Sequence, residues 1–291
     1  MRLRDSFHPY AITTILIWSL TYVVTRLALQ YFTALSLSFL RYAIASAILL
    51  VICLITKMKL PQKRDFPWFI ASGIAGFFLY MIAFNIGTGY VTAATSSVII
   101  ASVPVFTALL AALFYKEKLI TRQWIAIGVE FAGILILTLY GAVFTANIGI
   151  LWLLAAALLL SCYNLLQRKL TRSYTALQST TYSIFVGTIL LAVFAPRSLG
   201  EIKAAPTIQL VYVLILGVFS STIAYIAWSK AFEKAERTSQ VSNYMFFTPF
   251  ITGVLGFLLA GEIPDPSTWV GGVFIIAGAI LFNSANIRKK A

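Results

Sequence analysis

Apolar residues run along this chain in long blocks, separated by short polar punctuation. The mostly apolar runs cover 9–27, 33–55, 67–88, 92–115, 122–140, 147–167, 175–194, 207–231, 238–259 and 268–287. A helix of about 20 such residues crosses a hydrocarbon layer roughly 30 Å thick. The pattern predicts ten transmembrane helices, an all-α membrane protein, and connections too short to hold a soluble domain. The first run follows a charged MRLRD start and lacks a small-residue cleavage site. It reads as a retained helix and not as a signal peptide.

Composition agrees with this pattern and excludes a water-soluble enzyme. Hydrophobic residues make up 60% of the 291 and charged residues only 11%, where a soluble domain carries about 25% charged. Cys53 and Cys162 both lie in apolar stretches, which supports neither a disulfide framework nor a thiolate metal site. The net charge of +13 first raises nucleic acid as a partner. Placing the N-terminus inside sorts the charges instead. Eighteen Lys and Arg residues then face the cytoplasm, in six groups from Arg2 to Lys290. Only Arg26, Arg197 and Lys203 face outward, and Arg41 falls within a span. That asymmetry predicts a multi-pass protein of the cell (cytoplasmic) membrane with both termini cytoplasmic. The basic loops then meet anionic lipid headgroups, and nucleic acid drops out.

The chain also matches itself at an offset of 145. Pro104 falls on Pro249, Glu117 on Glu262, Trp124 on Trp269 and Tyr80 on Tyr225. Ala132 and Gly133 fall on Ala277 and Gly278, and positions 92–139 give nine identities without a gap. Pro, Glu and Trp are scarce here, so their coincidence carries the repeat. Five helices per half make the second copy enter from the opposite side. The expected organisation is two inverted-topology five-helix repeats, 1–145 and 146–291, an arrangement typical of secondary transporters with a midplane site.

The stretch TSSVIIASVPVFTALLAALFYKEKLITRQWIAIGVEFAGILIL (95–137) and its copy TSQVSNYMFFTPFITGVLGFLLAGEIPDPSTWVGGVFIIAGAILF (238–282) resemble the signature half of the EamA-like domain of the drug/metabolite transporter superfamily. The stretches IWSLTYVVTRLAL (17–29) and FLRYAIASAILL (39–50) are similar to the first two helices of that family. The resemblance spans nearly the whole chain. It implies a central cavity lined by helices 1, 3, 4, 6, 8 and 9, with 5 and 10 peripheral. It specifies transport well and cargo poorly.

Pro104 and Pro249 sit midway along their runs, where a missing N–H and a steric clash predict a kink. They are either hinges of a moving core or static bends, and matched placement favours hinges. Trp18, Tyr22, Tyr80, Phe84, Tyr163, Tyr225 and Trp228, with Ser97, Asn164 and Asn243, form the expected cavity set. An aromatic wall with a few hydrogen-bonding groups suits an amphipathic organic solute. With 42 aromatics in the chain, any single one can equally be packing. Asn164 and Asn243 are stronger, because a bare amide at membrane depth is costly.

Arg41 and Glu130 are the ionisable groups predicted near mid-membrane, and each is expensive against lipid. They are expected to pair with each other or with polar cavity groups. Arg41 alternatively attracts a substrate carboxylate, and Glu130 is the one obvious residue for proton coupling. Glu117 and Glu262, just before helices 5 and 10, read as carboxylates favourable near a helix N-terminus or as loop hydrogen-bond acceptors. Gly128, Gly133, Gly271 and Gly278 allow close approach of helices 5 and 10, within one protomer or across a possible homodimer. His8 is the sole histidine and is expected to be solvated. No metal site, cofactor or ATP-binding loop is predicted.

The expected function is a secondary transporter, an exporter of small metabolites such as amino acids that works by alternating access. A broad drug or dye exporter and an organic-anion carrier are the alternatives. An intramembrane enzyme fits less well, since it needs a concentrated set of catalytic groups that one Glu130 does not supply.

Overall fold

The computed structural model describes residues 6–115, 120–139, 148–235 and 241–287. Every regular element among them is helical. Seven segments are long and apolar enough to cross a membrane: α1 (His8–Ala28), α2 (Ala34–Thr56), α3 (Lys63–Tyr90), α4 (Ala93–Phe114), α6 (Ile148–Leu170), α7 (Ala176–Lys203) and α8 (Thr207–Lys234). Between them lies α5 (Thr121–Leu139). The chain closes with α9 (Tyr244–Ala260) and α10 (Pro266–Ile287). The seventh helix runs past the expected end at 194. A short 3-10 turn at Ala192–Phe194 leads into Ala195–Lys203, whose polar residues break the apolar run without breaking the helix.

Helix starts follow local chemistry. The hydroxyls of Thr33, Thr92 and Thr175 each accept the N–H three residues on, and Thr175 forms a full capping box with Gln178. Helix α9 ends on Gly261 at φ +63°, a left-handed conformation that glycine adopts without a Cβ clash. Within the helices, the hydroxyls of Thr14, Ser19, Thr21 and Ser38 donate to carbonyls four residues back. Polar side chains thereby satisfy themselves where water is absent.

The packing has a regular order. Helix α1 lies against α8 and α9, while α6 lies against α3 and α4. Helix α2 packs on α8 and α7 on α3, and the pairs α2–α7, α4–α9 and α5–α10 also touch. The core between them is aromatic at its centre, with Tyr42, Phe77, Tyr163 and Trp228 fully buried. The outer surface is apolar instead, with Leu54, Ile55, Phe114, Ile189, Leu258 and Trp269 exposed. An exposed apolar belt of this extent is stable in a bilayer and not in water.

Helices α5 and α10 share the most extensive of these contacts. A Cβ on Gly133 would sit 2.7 Å from the Gly271 carbonyl, and one on Gly278 2.5 Å from Glu130 Cγ. These glycines therefore bring the two backbones together within one protomer.

Candidate functional site

Four of the helices depart from α geometry near the centre of the bundle. Helix α3 carries a π-helical segment at Ile74–Leu79, and α8 carries one at Leu216–Ile223. Each precedes a matched tyrosine, Tyr80 or Tyr225. The wider turn frees a carbonyl and re-aims the residues that follow, a feature frequent at functional sites. In α8, the Thr222 hydroxyl donates to the Gly217 carbonyl at 2.9 Å and occupies one such group. Helix α4 breaks at Ala101–Ser102 and restarts at Val103. Helix α9 begins as a 3-10 turn, Asn243–Phe247, and becomes α-helical at Thr248. Pro104 and Pro249 thus each stand second in a new helical segment, where a missing N–H costs least. Around the break in α4, Ser161 of α6 donates to the Val103 carbonyl at 3.0 Å.

These irregular segments surround a small internal cavity of about 20 Å³. It is lined by Trp18, Thr21 and Tyr22 of α1, Arg41 of α2, and Tyr80, Met81 and Phe84 of α3. Ile100, Leu160, Tyr225 and Met245 complete it from α4, α6, α8 and α9. Such a volume admits about one water molecule. The cavity is therefore too small for an organic solute, which requires it to widen.

The expected cavity residues fall into three groups. Trp18, Tyr22, Arg41, Tyr80, Phe84 and Tyr225 line the cavity together. Tyr163 and Trp228 stand behind it: Tyr163 meets Phe77 and Tyr225, and Trp228 meets Trp18 at 5.1 Å between ring centroids. Asn164 accepts the Trp228 indole N–H at 3.3 Å, which places it beside this aromatic wall. Ser97 is buried but turned into its own helix, bonding the Ala94 carbonyl at 2.7 Å. The Asn243 side chain lies outside the described structure. Thr21, which adjoins the Trp18 and Tyr22 face of α1, lines it too, and Met81, Ile100, Leu160 and Met245 were not expected there. Apolar residues in an apolar span carry no distinguishing signal, so they become visible only once the helices are packed.

Arg41 and Glu130 do not meet. Arg41 is 2% exposed, and its Nε and one terminal nitrogen donate to Ser221 Oγ and Thr25 Oγ1, each at 3.3 Å. Glu130 is 1% exposed and faces Gly278 across the α5–α10 contact, with no hydrogen-bond partner for either oxygen among the described residues. Sequence distance in depth matched the two groups, but their helices lie in different parts of the bundle.

Glu262 does stand at a helix N-terminus, but a distant one. It caps α4, not the helix that follows it, accepting the Ala93 N–H at 2.8 Å and pairing with Arg26 Nε at 3.1 Å. Arg26 donates in turn to the Thr88 and Gly89 carbonyls. These contacts tie α1, α3, α4 and the α9–α10 loop together at one end of the cavity. Glu117 lies outside the described residues. At the other end, the exposed His8 is bonded through Nδ1 to the Tyr244 hydroxyl and not simply solvated.

A larger groove of about 800 Å³ opens between α9 and α10, lined by apolar side chains including Phe250, Phe257 and Trp269, with Thr268. It lies on the outward apolar surface and is suited to acyl chains. Among the described residues, no cluster of His, Cys, Asp or Glu could hold a metal.

Long apolar helices around a small aromatic cavity mark a multi-pass membrane protein. Residues 7–139 and 147–284 each match the EamA-like transporter family, and the chain belongs to that family, of the drug/metabolite transporter type. It is 30% identical over 276 residues to the uncharacterized transporter YdfC of Bacillus subtilis, covering 94% of this chain and 89% of that one. It is 28% identical over 281 residues to a probable terminal-alkyne amino-acid exporter of Streptantibioticus cattleyicolor, covering 96% and 94%. It is 27% identical over 245 residues to an S-adenosylmethionine uptake transporter of Rickettsia bellii, covering 84% and 81%. A solved crystal structure shares the fold over the full length of both chains, at a TM-score of 0.67 and 18% identity.

Proposed function

We propose that this protein is a secondary transporter that exports small metabolites such as amino acids across the cell (cytoplasmic) membrane. It works by alternating access around the cavity between α1, α3, α4, α6, α8 and α9. Its ten helices form two inverted halves, 1–145 and 146–291, with both termini in the cytoplasm.

The observation that carries this reading is the exchange order of the packing. Replacing each helix by the one five further along turns α1–α8 into α6–α3, α1–α9 into α6–α4, and α2–α8 into α7–α3. The π-helical segments of α3 and α8 and the breaks in α4 and α9 obey the same exchange. Two halves related in this way can adopt two states exchanged by a pseudo-two-fold rotation, one open to each side. A cavity of about 20 Å³ then corresponds to the closed state between them. Pro104 and Pro249 begin the segments that swing. The direction follows the amino-acid exporter among the relatives; the uptake transporter is the alternative. A homodimer through α5 and α10 would use their outer faces, since Gly133 and Gly278 are already spent within the protomer.

The test is reconstitution into liposomes, with counterflow measured for labelled amino acids, nucleosides and dyes. Counterflow by none of them from a folded protein rules this reading out. Topology is checked by replacing Cys53 and Cys162, then labelling Q62C and A146C from each side. Opposite sidedness is expected, and labelling of both from one side breaks the inverted arrangement.

A further inference from the structure

We propose that Arg41 anchors a substrate carboxylate, so that the cavity selects small monocarboxylates with an apolar or aromatic body. Amino acids qualify through their carboxylate and not through their amine. This rests on the transport reading and names what is carried.

Arg41 reaches the cavity from α2 and is almost completely buried. A guanidinium removed from water is expensive unless an anion and good hydrogen bonds compensate it. Here its bonds go to two neutral hydroxyls, Thr25 and Ser221, both at 3.3 Å. The described carboxylates are placed elsewhere. Glu262 pairs with Arg26, Glu201 with Arg197, Glu233 with Lys230, and Asp65 with Arg64. Glu130 lies on the α5–α10 contact, and Asp265 precedes α10. The cation facing the cavity therefore has no internal counter-charge among the described residues.

The geometry points to what supplies one. A guanidinium presents a planar fork that matches a carboxylate with two parallel N–H···O bonds. Thr25 and Ser221 stand beside that fork as further donors. The rest of the lining is aromatic or apolar, with Trp18, Tyr22, Tyr80, Phe84 and Tyr225 offering ring surface to the solute body. One cation matches one negative charge, and a dianion would leave its second charge against these rings. Among the described residues no acidic side chain lines the cavity, so none of them offers an ammonium group a counter-ion there. The carboxylate is the charge the site reads.

The test uses the full chain, purified in detergent and in proteoliposomes. Probes are L-phenylalanine, phenylpyruvate, L-phenylalaninamide and phenethylamine, with the corresponding leucine set. Binding is followed by calorimetry and transport by counterflow. Both acids of a set are expected to bind within about tenfold of each other, and the amide and amine at least tenfold more weakly. R41Q is expected to lose at least tenfold in acid affinity, and R41K less. The wild-type comparison of acid with amide stands even if R41Q fails to fold. Amide binding as tight as acid binding overturns the assignment. So does a folded R41Q that binds the acid like the wild type, or the absence of acid binding across both sets. Acid binding without counterflow supports the anchor and removes the transport reading, which separates the two failures.

Discussion

Arg26 and Glu262 are 236 positions apart in the chain and meet at 3.1 Å, where α1 touches the α9–α10 loop. The carboxylate also holds the first N–H of α4, and the guanidinium also holds the last carbonyls of α3. Four chain segments thus converge on one ion pair. Its side chains are 33% and 16% exposed, so solvent weakens it without abolishing it. Any motion that parts α1 from the α9–α10 loop must break this pair.

The first prediction follows directly. E262Q and R26Q each remove a charge-assisted contact of about 1–2 kcal/mol, and thermal unfolding should fall by a few degrees. The double variant should cost less than the two singles together, because they share one interaction. In either single variant, a cysteine placed at Thr21 should be modified several-fold faster by a polar thiol reagent applied from the side where the pair lies. An unchanged labelling rate denies the pair a gating role.

The α5–α10 contact yields a second prediction with an internal control. A Cβ at Gly278 would lie 2.5 Å from Glu130 Cγ and 2.8 Å from the Ala126 carbonyl, while one at Gly128 meets nothing within 4 Å. G278A should therefore cost about 1–3 kcal/mol by overpacking. G128A should be neutral or slightly stabilising, since alanine is the better helix former. Melting temperatures in one detergent decide between them, and equal effects would show that the close approach is not maintained.

A third prediction concerns the back of the cavity. Gly76, within the π segment of α3, faces the Tyr163 ring so closely that a Cβ would lie 2.6 Å from Tyr163 Cγ. The ring has little room to move, being packed on Phe77 and Tyr225. G76A should therefore disturb the aromatic wall as well as stability, lowering solute affinity at least severalfold in a calorimetric titration. G200A is the comparison, because nothing lies within 4 Å of that position. Equal affinities in the two variants would mean that the wall tolerates displacement.

Much of this arrangement was legible in the chain itself. Helical segments follow from runs of apolar residues because lipid leaves backbone groups no other partners. The π segments were not legible: IAGFFL and LGVFSSTI read as ordinary apolar helix, since register within a helix leaves no mark in hydropathy. Six of the expected cavity residues do line the cavity, because aromatics and a charge stand out against aliphatic spans. Arg41 bonds the polar groups Thr25 and Ser221 and does not meet Glu130, and their predicted common depth could not choose between those two pairings. Hydropathy reports how deep a residue lies and not which way its helix faces. The role of Glu262 likewise depends on the α9–α10 loop reaching across to α4, a contact between distant segments that no local pattern encodes.

Glu130 supports the last prediction. Its carboxyl is 1% exposed, sits opposite Gly278, and is not part of the cavity lining. A proton carrier for alternating access must meet the solute path or a water path in at least one state. Among the described residues, α5 contributes none to the lining of the Arg41 cavity. E130Q keeps the size of the side chain and removes only its capacity to ionise. It should therefore preserve folding and leave the pH profile of counterflow between about pH 6 and 8 unchanged. Loss of a pH-dependent component in E130Q, with wild-type melting behaviour, would instead assign coupling to this residue and require α5 to move during transport.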